Sequence, residues 1–173
     1  MRAVGFILVF VVTASVAAAD LSALRKQAAE GKAAAQYQLG ELLYEARKVA
    51  RDLDAARRWT TQAAEQGHAR AQYRLASMQL LGEGGPRDVK AGMALFKKCL
   101  PALTKESEAG QADAQGKLGI LFARGVGVKK DPNAATQWFS KAAKQGNIKA
   151  QADLASAYLT GQGIEANPTR AGQ

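Results

Sequence analysis

The chain has 173 residues, with 24 Lys and Arg against 15 Asp and Glu, for a formal net charge of +9. A single cysteine excludes a disulfide framework, and a single histidine beside it leaves no Cys/His cluster at metal-ligand spacing. No Gly-x-Ser-x-Gly elbow or Ser-x-x-Lys pair occurs, and no glycine pair runs on into the Gly-Lys-Ser/Thr of a phosphate loop.

Residues 1–19 read as a separate segment. Arg2 is a short positive start, Val4 to Val12 is apolar, and Ala17-Ala18-Ala19 supplies an Ala-x-Ala site. This pattern predicts a secretory signal peptide cleaved between Ala19 and Asp20, with the mature protein periplasmic or secreted. The apolar core is short for a membrane span of about 20 residues. An uncleaved anchor helix is the alternative. Cleavage removes only Arg2 from the charge balance, so the mature chain stays strongly basic.

Residues 20–31 predict one helix ending at Gly31. A phrase then recurs four times: Gly31-Lys32-Ala33-Ala34-Ala35-Gln36-Tyr37-Gln38-Leu39-Gly40, then again from Gly67, Gly110 and Gly146. The starting glycines are 36, 43 and 36 residues apart. A fixed period of this size means stacked supersecondary units, each burying its apolar face against its neighbours. Each unit predicts two helices. Ala35, Leu39, Leu42 and Leu43 fall at helical spacing on the first, as do Ala114, Leu118, Leu121 and Phe122. Glycine pairs follow at Gly82/Gly84, Gly125/Gly127 and Gly161/Gly163, where left-handed residues cap a helix end. Asp131-Pro132 then signals the start of a second helix.

The predicted fold is an all-α, right-handed α-solenoid of helix-turn-helix repeats with a half-repeat at each end. Its parts are a half-repeat over 20–31, repeats over 32–67, 68–110 and 111–146, and a partial repeat over 147–173. In the first repeat Ala46 and Lys48 stand where turn glycines belong. The second has Leu95-Phe96 for Trp138-Phe139 and seven extra residues around Cys99-Leu100-Pro101-Ala102, with a kink expected at Pro101. Asn167-Pro168 begins a last second helix that Gln173 cuts short, so poor amide protection is expected over 164–173.

Ala-x-Ala-Gln-x-x-Leu, the Gly-x-Gly turn and Trp138-Phe139-Ser140-Lys141-Ala142-Ala143-Lys144-Gln145-Gly146 together resemble the Sel-one-like repeat family, a relative of the tetratricopeptide repeat. The resemblance covers roughly residues 20–173 and is specific because it recurs in register. It implies a non-enzymatic interaction scaffold or adaptor that binds a partner on a concave surface lined by the first helices. A cell-wall-directed or β-lactam-hydrolysing enzyme of the envelope is the alternative, since some cysteine-rich relatives have been linked to penicillin binding.

On the first helices, the residues outside the small-and-leucine seam recur at i, i+4 and i+7. They are Ala34, Gln38 and Glu41; Arg70, Arg74 and Ser77; Asp113, Lys117 and Ile120; and Lys149, Asp153 and Ser156. Arg70, Arg74 and Lys117 read as a short positive ladder along this stripe. With the net charge, it suggests a protein partner with an acidic surface, or an anionic envelope polymer. Nucleic acid is not expected, because no groove-reading motif is present, and no cofactor, metal or catalytic residue is expected. His68 reads as a solvent-facing loop residue, Cys99 as a small buried filler, and Trp59 and Trp138 as core anchors.

Overall fold

A computed structural model describes residues 20–45 and 50–163. The predicted signal segment, the first repeat's turn at Ala46 and Lys48, and the Asn167-Pro168 start with the protection expected over 164–173 lie outside the described residues. Within them there are eight helices and no strand. Helix α1 covers 20–29. The rest are α2 (Ala33–Tyr44), α3 (Leu53–Glu65), α4 (Ala69–Leu81), α5 (Val89–Glu108), α6 (Ala112–Arg124), α7 (Pro132–Lys144) and α8 (Ile148–Thr160). Each helix packs mainly on its neighbours in sequence, most extensively within the pairs α2–α3, α4–α5 and α6–α7. This is an all-α solenoid of helical repeats. None of the described helices is long and apolar enough to cross a membrane.

The start of each second helix is written in one residue. The carboxylates of Asp52, Asp88 and Asp131 accept from the amides of Ala55, Ala91 and Ala134. Each satisfies an amide that the helix itself leaves unpaired. The repeated glutamine solves the same problem at the other end of the preceding helix. Gln36, Gln72, Gln115 and Gln151 each donate from Nε2 to a carbonyl eight residues back, on Ala28, Ala64, Ser107 and Ala143, at 3.0–3.3 Å. Those carbonyls sit near second-helix C-termini, where helical partners run out. The conspicuous Gln of the phrase is therefore a splint between consecutive units. Gln66 and Gln145, the C-cap residues of α3 and α7, extend it by donating to the side-chain oxygens of Gln36 and Gln115.

Close approach within a pair needs one residue without a side chain. A Cβ on Gly40 would lie 2.5 Å from Thr60 Oγ1 and 3.3 Å from the Ala56 carbonyl, and one on Gly119 would strike the Phe139 ring. In the second unit the assignment is swapped. Ala76 takes the first-helix position and Gly92 the facing one, where a Cβ would come within 2.9 Å of the Ala76 carbonyl.

The main core joins Tyr73, Ala76, Phe96, Cys99, Leu103, Leu118 and Leu121 across α4, α5 and α6. Cys99 is fully buried there, and burial pushes its thiol up to about 11, which keeps it protonated and inert. One expectation needs correction. Trp59 and Trp138 touch the core clusters but are only partly buried. The buried aromatic of the pair is Phe139, while the Trp138 ring carries the Lys141 ammonium at 4.1 Å. Helix α5 absorbs the seven extra residues as one 20-residue helix that continues through Pro101.

Those residues also move a seat. The second glycine of each Gly-x-Gly turn rests on the second helix of the preceding unit. Gly84 lies against Leu53 and Gly163 against Pro132, the first residues of α3 and α7. Gly127 lies against Phe96 and Lys97, seven residues inside α5. At 1.5 Å per residue the third unit is seated about 10 Å further along its support than the other two.

Candidate functional site

Side chains of the first helices α2, α4, α6 and α8 are linked by ion pairs that cross between units. Arg74 of α4 grips Glu41 of α2 through both guanidinium arms, with Nη2 at 2.7 Å from Oε2. Its Cζ lies 4.3 Å from the centre of the Tyr44 ring. Arg70 reaches Glu106 of α5 at 2.7 Å and Asp113 of α6 at 3.8 Å. Lys117 Nζ sits 2.5 Å from Asp113 Oδ1, one helical turn away. Lys149 of α8 spans back to Glu45, the C-cap residue of α2, at 2.6 Å.

These contacts correct the positive ladder. Arg70, Arg74 and Lys117 each face a carboxylate that neutralises them. The Arg74 and Lys117 side chains are only 13% and 10% exposed. Burial opposes the Arg74 charge, and the Glu41 carboxylate overrides it, so the guanidinium pKa is raised. For Lys117 burial wins over Asp113, and its pKa is lowered. A sequence shows that a stripe is charged but not which charges cancel across 30 or more residues.

The remaining stripe residues line clefts between first helices. Gln38, Glu41, Asp113 and Lys149 share a cavity of about 570 Å³ with Leu24, Tyr37, Leu42, Glu45, Asn147 and Ile148. Ile120, Asp153 and Ser156 line a smaller cleft of about 120 Å³ between α6 and α8, where burial raises the Asp153 pKa against the pull of Arg124. Ser77 and Ile120 line a third, of about 140 Å³, beside Tyr73 and Leu81. Ala34 is exposed on α2. The stripe reading missed Leu42, Glu45 and Ile148. The first two were within reach, because they continue the i+4 steps from Gln38 and Glu41.

His68 is not a free loop residue. It is the N-cap of α4, and its Nδ1 accepts from the Ala71 amide at 3.2 Å. Its ring lies 4.8 Å from that of Tyr37. An accepting Nδ1 is unprotonated, and burial lowers the His68 pKa. The charges facing it are Glu106, Arg70 and Lys117, from α5, α4 and α6. A lowered histidine gives stability that is complete above its ordinary value of 6.5 and is lost as pH falls through that value towards the folded one. Denaturant titrations from pH 7 to 5 should therefore lose stability. His68→Asn should flatten that loss while keeping the cap, as Asn147 does at α8, and His68→Ala should cost about 1 kcal/mol at pH 7.

No catalytic grouping emerges among the described residues. The Ser77 and Ser107 hydroxyls donate to carbonyls of their own helices, and no three His, Cys, Asp or Glu side chains converge as a metal site.

A family model of the Sel1 repeat matches residues 33–68, 69–98, 112–147 and 148–173. The chain belongs to the Sel1 repeat family. The unmatched stretch between the second and third matches is the C-terminal part of the lengthened α5 and the loop after it. The chain is 34% identical over 140 residues to chitin synthase regulatory factor 3 of Schizosaccharomyces pombe, covering 79% of this chain and 14% of that one. It is 30% identical over 105 residues to human protein sel-1 homolog 2, covering 61% and 14%.

Among solved structures it is similar to a protective antigen present in uropathogenic Escherichia coli strains, which displays an SLR fold. That match has a TM-score of 0.53 and 33% identity, over 87% of this chain and 31% of that one. It is also similar to a Sel1 repeat protein from Oxalobacter formigenes, with a TM-score of 0.53 and 31% identity, over 83% and 54%. The chain thus spans about a seventh of these curated relatives. Sel1 repeats generally mediate protein–protein interactions and are typically non-catalytic.

Proposed function

We propose that this Sel1 repeat protein is a non-enzymatic scaffold that holds a protein partner on its inner, first-helix surface, outside the cytoplasm, after cleavage between Ala19 and Asp20. The observation that carries the reading is the 570 Å³ cavity. Around it Gln38, Ile148 and Lys149 are exposed, so they serve no core and are available for recognition. The relatives are consistent with an adaptor: one is named as a regulatory factor, another as a protective antigen.

An acidic partner or anionic envelope polymer would be met elsewhere, on the outer side. Lys97, Lys98, Lys129 and Lys130 are exposed and make no ion pair among the described residues.

The test is a cross-linking pull-down from the native envelope with two variants side by side. Gln38→Arg with Ile148→Asp alters the cavity, and Lys97→Glu with Lys98→Glu alters the outer side. Capture lost only with the first pair supports the reading. Loss only with the second overturns the placement of the partner. Sequencing the mature N-terminus decides the compartment: a start at Asp20 is expected, and retention of residues 1–19 would make this a membrane-anchored scaffold instead.

A further inference from the structure

We infer that the cleft between α4 and α6 anchors a partner segment carrying an aliphatic side chain beside one acidic side chain. This rests on the scaffold reading for the occupant being a peptide, and it places a second anchor on the first-helix row. Phe96, on which Gly127 is seated, lines the cleft together with Val126 of the same turn, so it lies where the third unit steps along α5. Leu80, Leu81 and Ile120 complete an apolar wall around about 140 Å³. An apolar cavity of about 150 Å³ accepts a molecule the size of benzene, so one leucine or isoleucine side chain fits here. Leu81 is 67% exposed at the end of α4, and an occupant would cover it.

Two hydrogen-bond donors in the cleft lack acceptors. Tyr73 lines it and is 9% exposed. Its ring meets Phe96 edge to face at 5.3 Å, and its hydroxyl makes no hydrogen bond among the described residues. A covered hydroxyl without a partner gains from an arriving acceptor. Burial pushes the Tyr73 pKa up to about 12, so the hydroxyl keeps its proton, and of the charges acting on it Arg124 is the strongest. Arg124 is exposed, lines the same cleft, and makes no ion pair or hydrogen bond among the described residues. The carboxylate facing it, Asp153 of α8, lines the neighbouring cleft, where burial raises its pKa. A carboxylate oxygen is the acceptor that suits both donors.

The acid is a side chain rather than a chain terminus. Capture of a terminal carboxylate uses free backbone amides. The two amides after Arg124, on Gly125 and Val126, both already donate to the Leu121 carbonyl.

The test titrates the protein with three peptides blocked at both ends: Ser-Glu-Leu-Glu-Ser, Ser-Lys-Leu-Lys-Ser and Ser-Glu-Ala-Glu-Ser. NMR follows the methyl resonances of Leu81, Ile120 and Val126. The first peptide should shift all three and bind about tenfold more tightly than either of the others. Arg124→Gln should weaken it by about tenfold. Tyr73→Phe, which keeps the ring packing, should also weaken it. Lys129→Gln, which removes the same charge from an exposed position nearby, should leave it unchanged. Equal binding of the glutamate and lysine peptides would overturn the inference. So would tighter binding of Ser-Ser-Leu with a free terminal carboxylate, or no shift of these methyls at millimolar peptide. Shifts confined to Leu42 and Ile148 would overturn it too, and would leave the scaffold reading and its 570 Å³ cavity standing. The scaffold reading itself falls or stands by the envelope pull-down, whatever these peptides do.

Discussion

Reversing Arg70, Arg74 and Lys117 to glutamate together is expected to unfold the protein at 25 °C rather than merely remove a binding charge. Read from sequence, the three form a free ladder, and their reversal should leave the helical spectrum intact. In the structure each already faces a carboxylate: Arg74 faces Glu41, Arg70 faces Glu106, and Lys117 faces Asp113. Glutamate at 74 would place a third carboxylate beside Glu41 and Glu45 in a site where the native side chain is 13% exposed. Removing one partner of such a covered pair costs about 3–5 kcal/mol, and domains of this size hold only about 5–15 in total. Circular dichroism with a urea titration decides the matter. A triple variant with a native spectrum and unchanged midpoint would mean these pairs contribute nothing to the fold. Arg74→Gln with Glu41→Gln, which removes both charges, should cost much less than Arg74→Glu alone.

Leu118→Ala should destabilise by about 2–5 kcal/mol. Leu118 is fully buried in the cluster that ties α4, α5 and α6 together. The expected cost is at the high end because the site cannot collapse easily. One side is the rigid α5 face of Phe96, Cys99 and Leu103, and the next residue, Gly119, already lets the Phe139 ring approach its backbone. Since each unit of a solenoid is held by its neighbours, the loss should uncouple α6–α8 from α2–α5 and broaden the melting transition. A sharp, unshifted transition would contradict the assignment of this leucine to the central core.

The repeat architecture was legible because it is periodic. Phrase spacing, turn glycines and Asp131-Pro132 each report on local backbone geometry, which a sequence carries directly. What was not legible depends on pairing across units. The charges on Arg70, Arg74 and Lys117 were visible, and Asp113, four residues before Lys117 on the same helix, was within reach, but Glu106 and Glu41 lie on other helices, 36 and 33 residues from Arg70 and Arg74. His68 stands in a column with Lys32, Gln111 and Asn147, which reads as a variable surface position. Only the structure shows that a short acceptor at this point closes the first turn of the helix. The tryptophans misled for another reason. Their recurrence in register reflects packing between units at a partly open edge, and recurrence alone does not distinguish that edge from the buried centre.

The seat of Gly127 on Phe96 and Lys97 gives the solenoid one tall step. Along the inner side, the path from α2 and α4 to α6 and α8 climbs with it. A ligand in extended conformation advances about 3.3 Å per residue, so crossing the step takes about three residues of chain. A peptide that reads both halves therefore needs two clusters of anchoring side chains separated by a spacer of that length. A peptide whose anchors are contiguous is confined to one half. Trimming one heptad from α5 would level the staircase, so the length of a single helix sets the offset between the two halves of the first-helix row, and with it the anchor spacing of any chain laid across them.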